Sequence, residues 1–125
     1  MRDQFNLSGD FRGANVAIQS KLEHARLATN TLVAAPTDIQ ELKMLLDTLR
    51  LEIEGLNSTK SEAAIAVAKS TELLLSNAAS PAPNKTLLRT LGEGLRSTAK
   101  TIGEAGPGVV TTVDKIVDLV SKISG

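Results

Sequence analysis

The chain has 125 residues and a mass of 13.1 kDa, enough for one domain with a single core and a short appendage. Its 14 basic and 14 acidic residues cancel, so the sequence offers no general attraction for nucleic acid, which is not an expected partner. The absence of cysteine excludes disulfides and thiolate metal sites.

The first predicted element is an N-terminal segment, residues 5–22, with the sequence FNLSGDFRGANVAIQSKL. It contains both aromatic residues of the protein. Phe5, Leu7 and Phe11 alternate with other residues, as apolar side chains do on one face of a strand. The alternation changes register at Gly13, where a turn or bulge would account for the change. The pattern predicts two short strand-like segments ahead of the first helix.

The first two predicted helices lie on either side of Pro36. Residues 20–34 carry apolar side chains at a spacing typical of a helix, although the start of this region also fits a strand. After the proline, Thr37 and Gln40 have the spacing of a capping box, which predicts a helix start. Apolar residues then recur every three or four positions over 39–56, which favours an amphipathic helix.

Three further helices are predicted in the second half of the chain. Thr59 and Glu62 form a second capping box, and Asn84 can cap the helix that follows a proline-rich break. Together these patterns predict helices over 20–34, 37–55, 59–79, 84–103 and 108–123. The side chains expected to be buried are Leu42, Leu46, Leu49, Ile53, Leu88, Leu91 and Leu95.

The sequence GEAGPG, residues 103–108, predicts a hinge before the last helix. That helix is rich in valine, whose β-branching lowers helix propensity, so it needs tertiary or membrane contacts to form. We therefore expect an all-α protein, a bundle of four or five helices whose main part covers residues 20–104. A short strand-like tag, a β-arch, would occupy residues 1–19, and the hinge with a C-terminal amphipathic helix would occupy residues 105–125.

The sequence contains no recognisable motif for catalysis, a cofactor or a metal. His24 is the only histidine, and no second ligand follows one helical turn later. Residues 92–103 contain glycines, but these lie inside a helical pattern and no strand precedes them, as a phosphate-binding loop would require. We therefore expect no enzymatic activity and predict neither a cofactor nor a metal.

Two helices are candidates for contact with an anionic membrane. Basic residues recur on one face of the fourth helix, which could attract lipid headgroups or an acidic partner, although a solvated helix face has the same pattern. The C-terminal helix could leave the bundle and lie in a membrane interface, or it could be the last helix of the bundle. The candidate membrane contacts are Lys85, Arg89, Arg96, Lys100, Val109, Val113, Ile116, Val120 and Ile123.

The sequence also bears on where the protein is located. The N-terminus lacks an apolar signal segment, and no apolar run approaches the roughly 20 residues that a membrane-spanning helix needs. We therefore expect a cytoplasmic protein that associates with a membrane only on activation.

The N-terminal segment resembles the short amyloid signalling motifs carried by bacterial NLR-type immune ATPases and their small helical effectors. Related motifs occur in fungal NLR systems and, as the RHIM, in animal necroptosis. The resemblance implies that many copies stack as a cross-β array, in which each backbone pairs with the copies above and below. The predicted assembly residues are Phe5, Asn6, Gly9, Phe11, Gly13, Ala14, Val16, Ile18 and Gln19.

This resemblance implies a function as well. In the family, a Bell-type or HeLo-like helical cell-death domain carries one copy of the motif, and a receptor or neighbouring protein carries the other. The protein would then be a non-enzymatic signalling or cell-death effector of a bacterial conflict or innate immune system. Its partners would be further copies of itself, a motif-bearing NLR-type NTPase or adaptor, and an anionic membrane.

The residues leave a second interpretation open. The N-terminal arm could pack on the bundle, with Phe5 and Phe11 as ordinary core residues. The protein would then be a helical adaptor that mediates protein–protein contacts in a signalling complex. Both interpretations predict the same helical bundle, and they differ in what the arm does and in whether a membrane is a partner.

Overall fold

The computed structural model describes residues 16–56, 61–103 and 106–124 of the chain. In these ranges the protein is all-α, which confirms the predicted helical bundle. Helix α1 covers residues 16–28 and continues into a 3-10 turn at Thr29–Thr31. The other helices are α2 (Pro36–Glu54), α3 (Ser61–Ala78), α4 (Lys85–Lys100) and α5 (Pro107–Ser124).

The helices pack in an order that differs from their order along the chain. Helix α5 packs against both α2 and α4, and α4 also packs against α3. Helix α1 lies between α2 and α3 and makes a polar contact with each. Arg26 donates to Asp47 of α2 at 3.2 Å, and His24 Nδ1 lies 2.7 Å from Glu72 Oε2 of α3. Around the bundle the order is therefore α1, α2, α5, α4, α3.

The core is aliphatic, and α5 contributes side chains along most of its length. Val109, Val113 and Ile116 have no solvent-exposed surface. Packing around these three side chains supplies the tertiary contacts that a valine-rich helix needs. Leu91 is half-buried beside the core. The other predicted core residues are buried as expected: Leu42, Leu46, Leu49, Ile53, Leu88 and Leu95.

The start of α1 corrects the predicted strand-like tag. Residues 16–19, which the alternation assigned to a strand, form the first turn of α1. Ile18 lies on the same helix face as Leu22 and Ala25, and all three side chains are buried in the core. Burial of that face outweighs the β propensity of a short apolar run, because strand preference depends strongly on context. The rest of the predicted tag, residues 1–15, lies outside the described residues.

The helix starts agree only partly with the predicted caps. The capping box at Thr37 is wrong, because α2 already begins at Pro36, with Ala35 as its N-cap and no side-chain cap bond. Proline is well suited to a first helical position because its φ angle is preset and it has no N–H to satisfy. Asn84 does cap α4, since its side chain accepts a backbone hydrogen bond at 2.9 Å. The box at Thr59 lies outside the described residues.

The two glycines within α4 have different roles, and substitution should separate them. Gly92 is buried, and a Cβ added there would lie 2.9 Å from Val117 Cγ1 of α5, whereas Gly94 has nothing within 4 Å. We expect Gly92→Ala to destabilise the protein by about 1–3 kcal/mol, since the clash outweighs the gain in helix propensity. Gly94→Ala should stabilise it by about 1 kcal/mol. Urea unfolding measures the change in stability of both variants. Stabilisation by both would show that the contact between α4 and α5 accommodates a methyl group at residue 92.

Candidate protein-interaction surface

The predicted assembly motif ends inside helix α1. Of its residues in the described part of the chain, Val16 is 64% exposed and Ile18 is buried. Gln19 lies on the surface, where its Nε2 donates to Glu54 Oε2 of α2 at 3.1 Å. The end of the motif is therefore built into the bundle. The remaining assembly residues lie outside the described residues: Phe5, Asn6, Gly9, Phe11, Gly13 and Ala14.

Several large apolar side chains lie on the outer sides of α1 and α2. On α2, Met44 is 64% exposed and Leu51 is 63% exposed, and a separation of two helical turns places them on one side. On α1, Val16 and Leu27 are three turns apart on the outer side, and more than half of each is exposed. We call these four residues the outer α1–α2 face. The two pairs lie on either side of a groove lined mainly by polar side chains, and exposed apolar side chains with a polar rim are a common feature of protein-binding surfaces.

A groove separates α1 from α2 beside this face. It has a volume of about 440 Å³ and is lined by Val16, Arg26 and Asp47, and by Arg50 of α2. Near its other end, a second hollow of about 520 Å³ is lined by Met44 with Arg26 and Asp47. The first residue of α1 and the last turns of α2 therefore lie at the same end of the groove, and the two helices run antiparallel.

The predicted basic stripe on α4 lies beside a groove between α4 and α5. The groove has a volume of about 510 Å³, and Lys85 and Arg89 line it together with apolar side chains of α5. Arg96, by contrast, is joined to α5: it donates to Asp114 at 3.1 Å and to Asp118 at 2.5 Å. The stripe is therefore divided between exposed cations and one cation that joins two helices.

The predicted hinge is followed by tight contacts between α2 and α5. Glu52 of α2 accepts a hydrogen bond from the Thr112 hydroxyl of α5 at 2.7 Å. The same carboxylate lies so close to Gly108 that a Cβ there would collide with it. A carboxylate beside the first turn of a helix is also favourable for the helix dipole. These contacts anchor the start of α5.

The candidate membrane residues of α5 lie inside the bundle. Val120 is buried, as are the three other predicted contacts nearer the start of the helix, and Ile123 is half-buried. Membrane contact through these side chains would require α5 to leave the core. Detachment of α5 stays a prediction, and it would expose the centre of the bundle.

His24 has a polar contact that sequence reasoning missed. Its side chain is 62% exposed, in line with a solvated position, but its Nδ1 pairs with Glu72 of α3. Lys21 lies 3.6 Å from the same carboxylate. The partner is 48 residues away, so no local pattern could have identified it. This small cluster joins α1 to α3 on the opposite side from the α1–α2 groove.

Comparison of the chain with known protein families, with curated proteins and with solved structures finds no match. None of the described helices has the length and apolar character needed to cross a membrane. In the same part of the chain, no group of three or more histidine, aspartate or glutamate residues could hold a metal ion.

Proposed function

We propose that the protein is a non-enzymatic signalling adaptor, recruited through its N-terminal motif and contacting partners through its helical bundle. Its partners would be further copies of itself and a motif-bearing protein, such as an NLR-type NTPase. The outer α1–α2 face carries this proposal, since it presents exposed apolar side chains at the place where the motif enters helix α1. Recruitment through the motif would bring this face to the assembled complex.

The start of α1 limits how the motif can assemble. Cross-β stacking repeats every 4.7–4.8 Å or so, whereas each helix of a bundle is about 10 Å wide. Because α1 begins at residue 16, only residues 14 and 15 separate the bundle from the last predicted assembly glycine, Gly13. Neighbouring bundles would therefore collide in a long stack. Short assemblies, or recruitment of single copies to a partner's motif, fit this geometry better than long fibrils of the full chain.

A fibril assay tests the proposal. The isolated peptide 5–22, free of the bundle, should form thioflavin-positive fibrils, and those fibrils should retain the full-length protein in a pull-down. The matched peptide with Phe11→Ala should do neither, because the stacked ring is lost. Failure of the wild-type peptide both to assemble and to retain the protein would rule out recruitment through this motif.

A membrane-acting effector is the second candidate function. It is favoured by the exposed cations Lys85 and Arg89 beside the α4–α5 groove, each of which could add about 1 kcal/mol of attraction to an anionic surface. Removing residues 109–125 would not test this function, because the deletion removes core side chains. Charge reversal on the surface is the better experiment.

We expect Lys85→Glu together with Arg89→Glu to abolish binding of the assembled protein to anionic liposomes. Binding of the wild-type protein should weaken as salt is added, since salt screens exposed charges. The control for position is Lys69→Glu, a single charge reversal at an exposed position on α3. Liposome co-sedimentation measures all three proteins. If the wild-type protein does not sediment with anionic liposomes, the membrane role is wrong.

A further inference from the structure

The outer side of α2 is apolar where a solvated helix is expected to be polar. Met44 and Leu51 lie opposite the buried stripe that includes Leu42 and Leu49. Thr48, exposed between them, turns its hydroxyl back to the Met44 carbonyl at 3.0 Å. Two large apolar side chains and an internally bonded hydroxyl form a strip that can receive an extended segment with little loss of polar hydration.

Helix α1 begins next to this strip. Val16, the first described residue, lines the α1–α2 groove together with Arg50, the neighbour of Leu51 in sequence. Fifteen residues precede it, and Gly13 gives the chain the freedom to reverse direction there. Five extended residues span about 17 Å, enough for Phe11 to reach the end of the strip.

The chemistry of these residues matches the strip. The N-terminal segment contains both aromatic residues of the protein, and Phe5, Leu7 and Phe11 occupy odd positions, which face one side of an extended chain. Leu7 and Phe11 would be about 13 Å apart in an extended chain, whereas Met44 and Leu51 are about 10 Å apart along the helix. Methionine sulfur also makes favourable contacts with aromatic rings.

We propose that residues 5–12 of the same chain dock along the outer side of α2, with Phe11 near Leu51 and Leu7 near Met44. This inference adds a resting state to the proposed function, and the effect of docking on recruitment depends on that function. The docked arm hides the side chains that would stack in an assembly, so docking and assembly exclude each other. A partner's motif would then compete with α2 for the arm.

Cross-linking tests the docked arm, since the natural chain has no cysteine. The pair Gly9→Cys and Thr48→Cys keeps every apolar side chain of the arm and the strip, and residue 9 faces the same side of an extended chain as Leu7 and Phe11. The matched control pairs Gly9→Cys with Ser76→Cys, an exposed position on α3. In dilute monomer we expect the first pair to form its intramolecular disulfide at least about tenfold faster, because docking raises the local concentration.

A charged substitution on the strip provides the second part of the test. Leu51→Lys, added to the first pair, should reduce its cross-linking rate to that of the control pair, whereas Leu73→Lys, a partly exposed leucine on α3, should not. Equal rates for the two original pairs would overturn the proposal. A disulfide that forms only between two chains would also overturn it, since a second copy would then occupy the strip.

Failure of the docking inference can be distinguished from failure of the proposed function. If cross-linking is unselective while peptide 5–22 still forms fibrils that retain the protein, only docking is wrong. If cross-linking is selective while the peptide does not assemble, the docked arm stands and recruitment by assembly is wrong. If both hold, Leu51→Lys should also shorten the lag before the full-length protein joins peptide fibrils.

Discussion

Replacing Leu49 with alanine should lower the free energy of unfolding by about 2–5 kcal/mol, the range found when a fully buried leucine is truncated. Leu49 lies on the core side of α2 and has no exposed surface. Its neighbours in the aliphatic core are held by several helices, so they can close the resulting cavity only in part. Urea unfolding followed by the helical circular dichroism signal measures the change.

Leu51→Ala is the matched control for this prediction. It makes the same chemical change on the same helix, but its side chain is 63% exposed. We expect a loss below about 1 kcal/mol, as for surface substitutions in general. Similar losses for the two variants would show that α2 does not face the core in the way described.

Replacing Val113 with aspartate should unfold the whole protein. Val113 is fully buried on α5, between α2 and α4 in the order of the bundle. An ionised carboxylate there would have no partner, and burying an unpaired charge costs several kcal/mol. The total stability of a native domain is only about 5–15 kcal/mol. Far-UV circular dichroism should show loss of helix throughout, well beyond the contribution of α5.

This result bears directly on the predicted hinge. If α5 were a detachable helix, Val113→Asp would release it and leave the other helices folded. Thr111→Asp, an exposed position on the same helix, is the matched control and should stay folded. Retention of most of the helical signal in Val113→Asp would favour the detachable helix and, with it, a membrane role for α5.

The amphipathic pattern of α2 was predictable because its spacing depends only on local sequence. Leu42, Leu46, Leu49 and Ile53 follow one helical stripe, and the structure buries all four. The start of α1 was not predictable in the same way. Around Ile18, the apolar residues fit a strand and a helix equally well, and only the position of the core decides between them.

The candidate surface could have been found from the sequence in part. Met44 and Leu51 lie off the buried stripe at a spacing of seven, which indicates a second apolar side on α2. By contrast, the pairing of Arg96 with Asp114 and Asp118 depends on how α4 and α5 pack. No local pattern contains that information, so the basic stripe looked more uniform in sequence than it is in the fold.

The most direct test of the central claim, that recruitment and folding are carried by separate parts of the chain, is Phe11→Ala measured in two ways. Recruitment to peptide 5–22 fibrils should be lost, while the free energy of unfolding should change by less than about 1 kcal/mol, because the arm is only docked on the surface. A core phenylalanine would instead cost about 3–5 kcal/mol when truncated. A loss of that size with recruitment intact would contradict the account and make the arm part of the core.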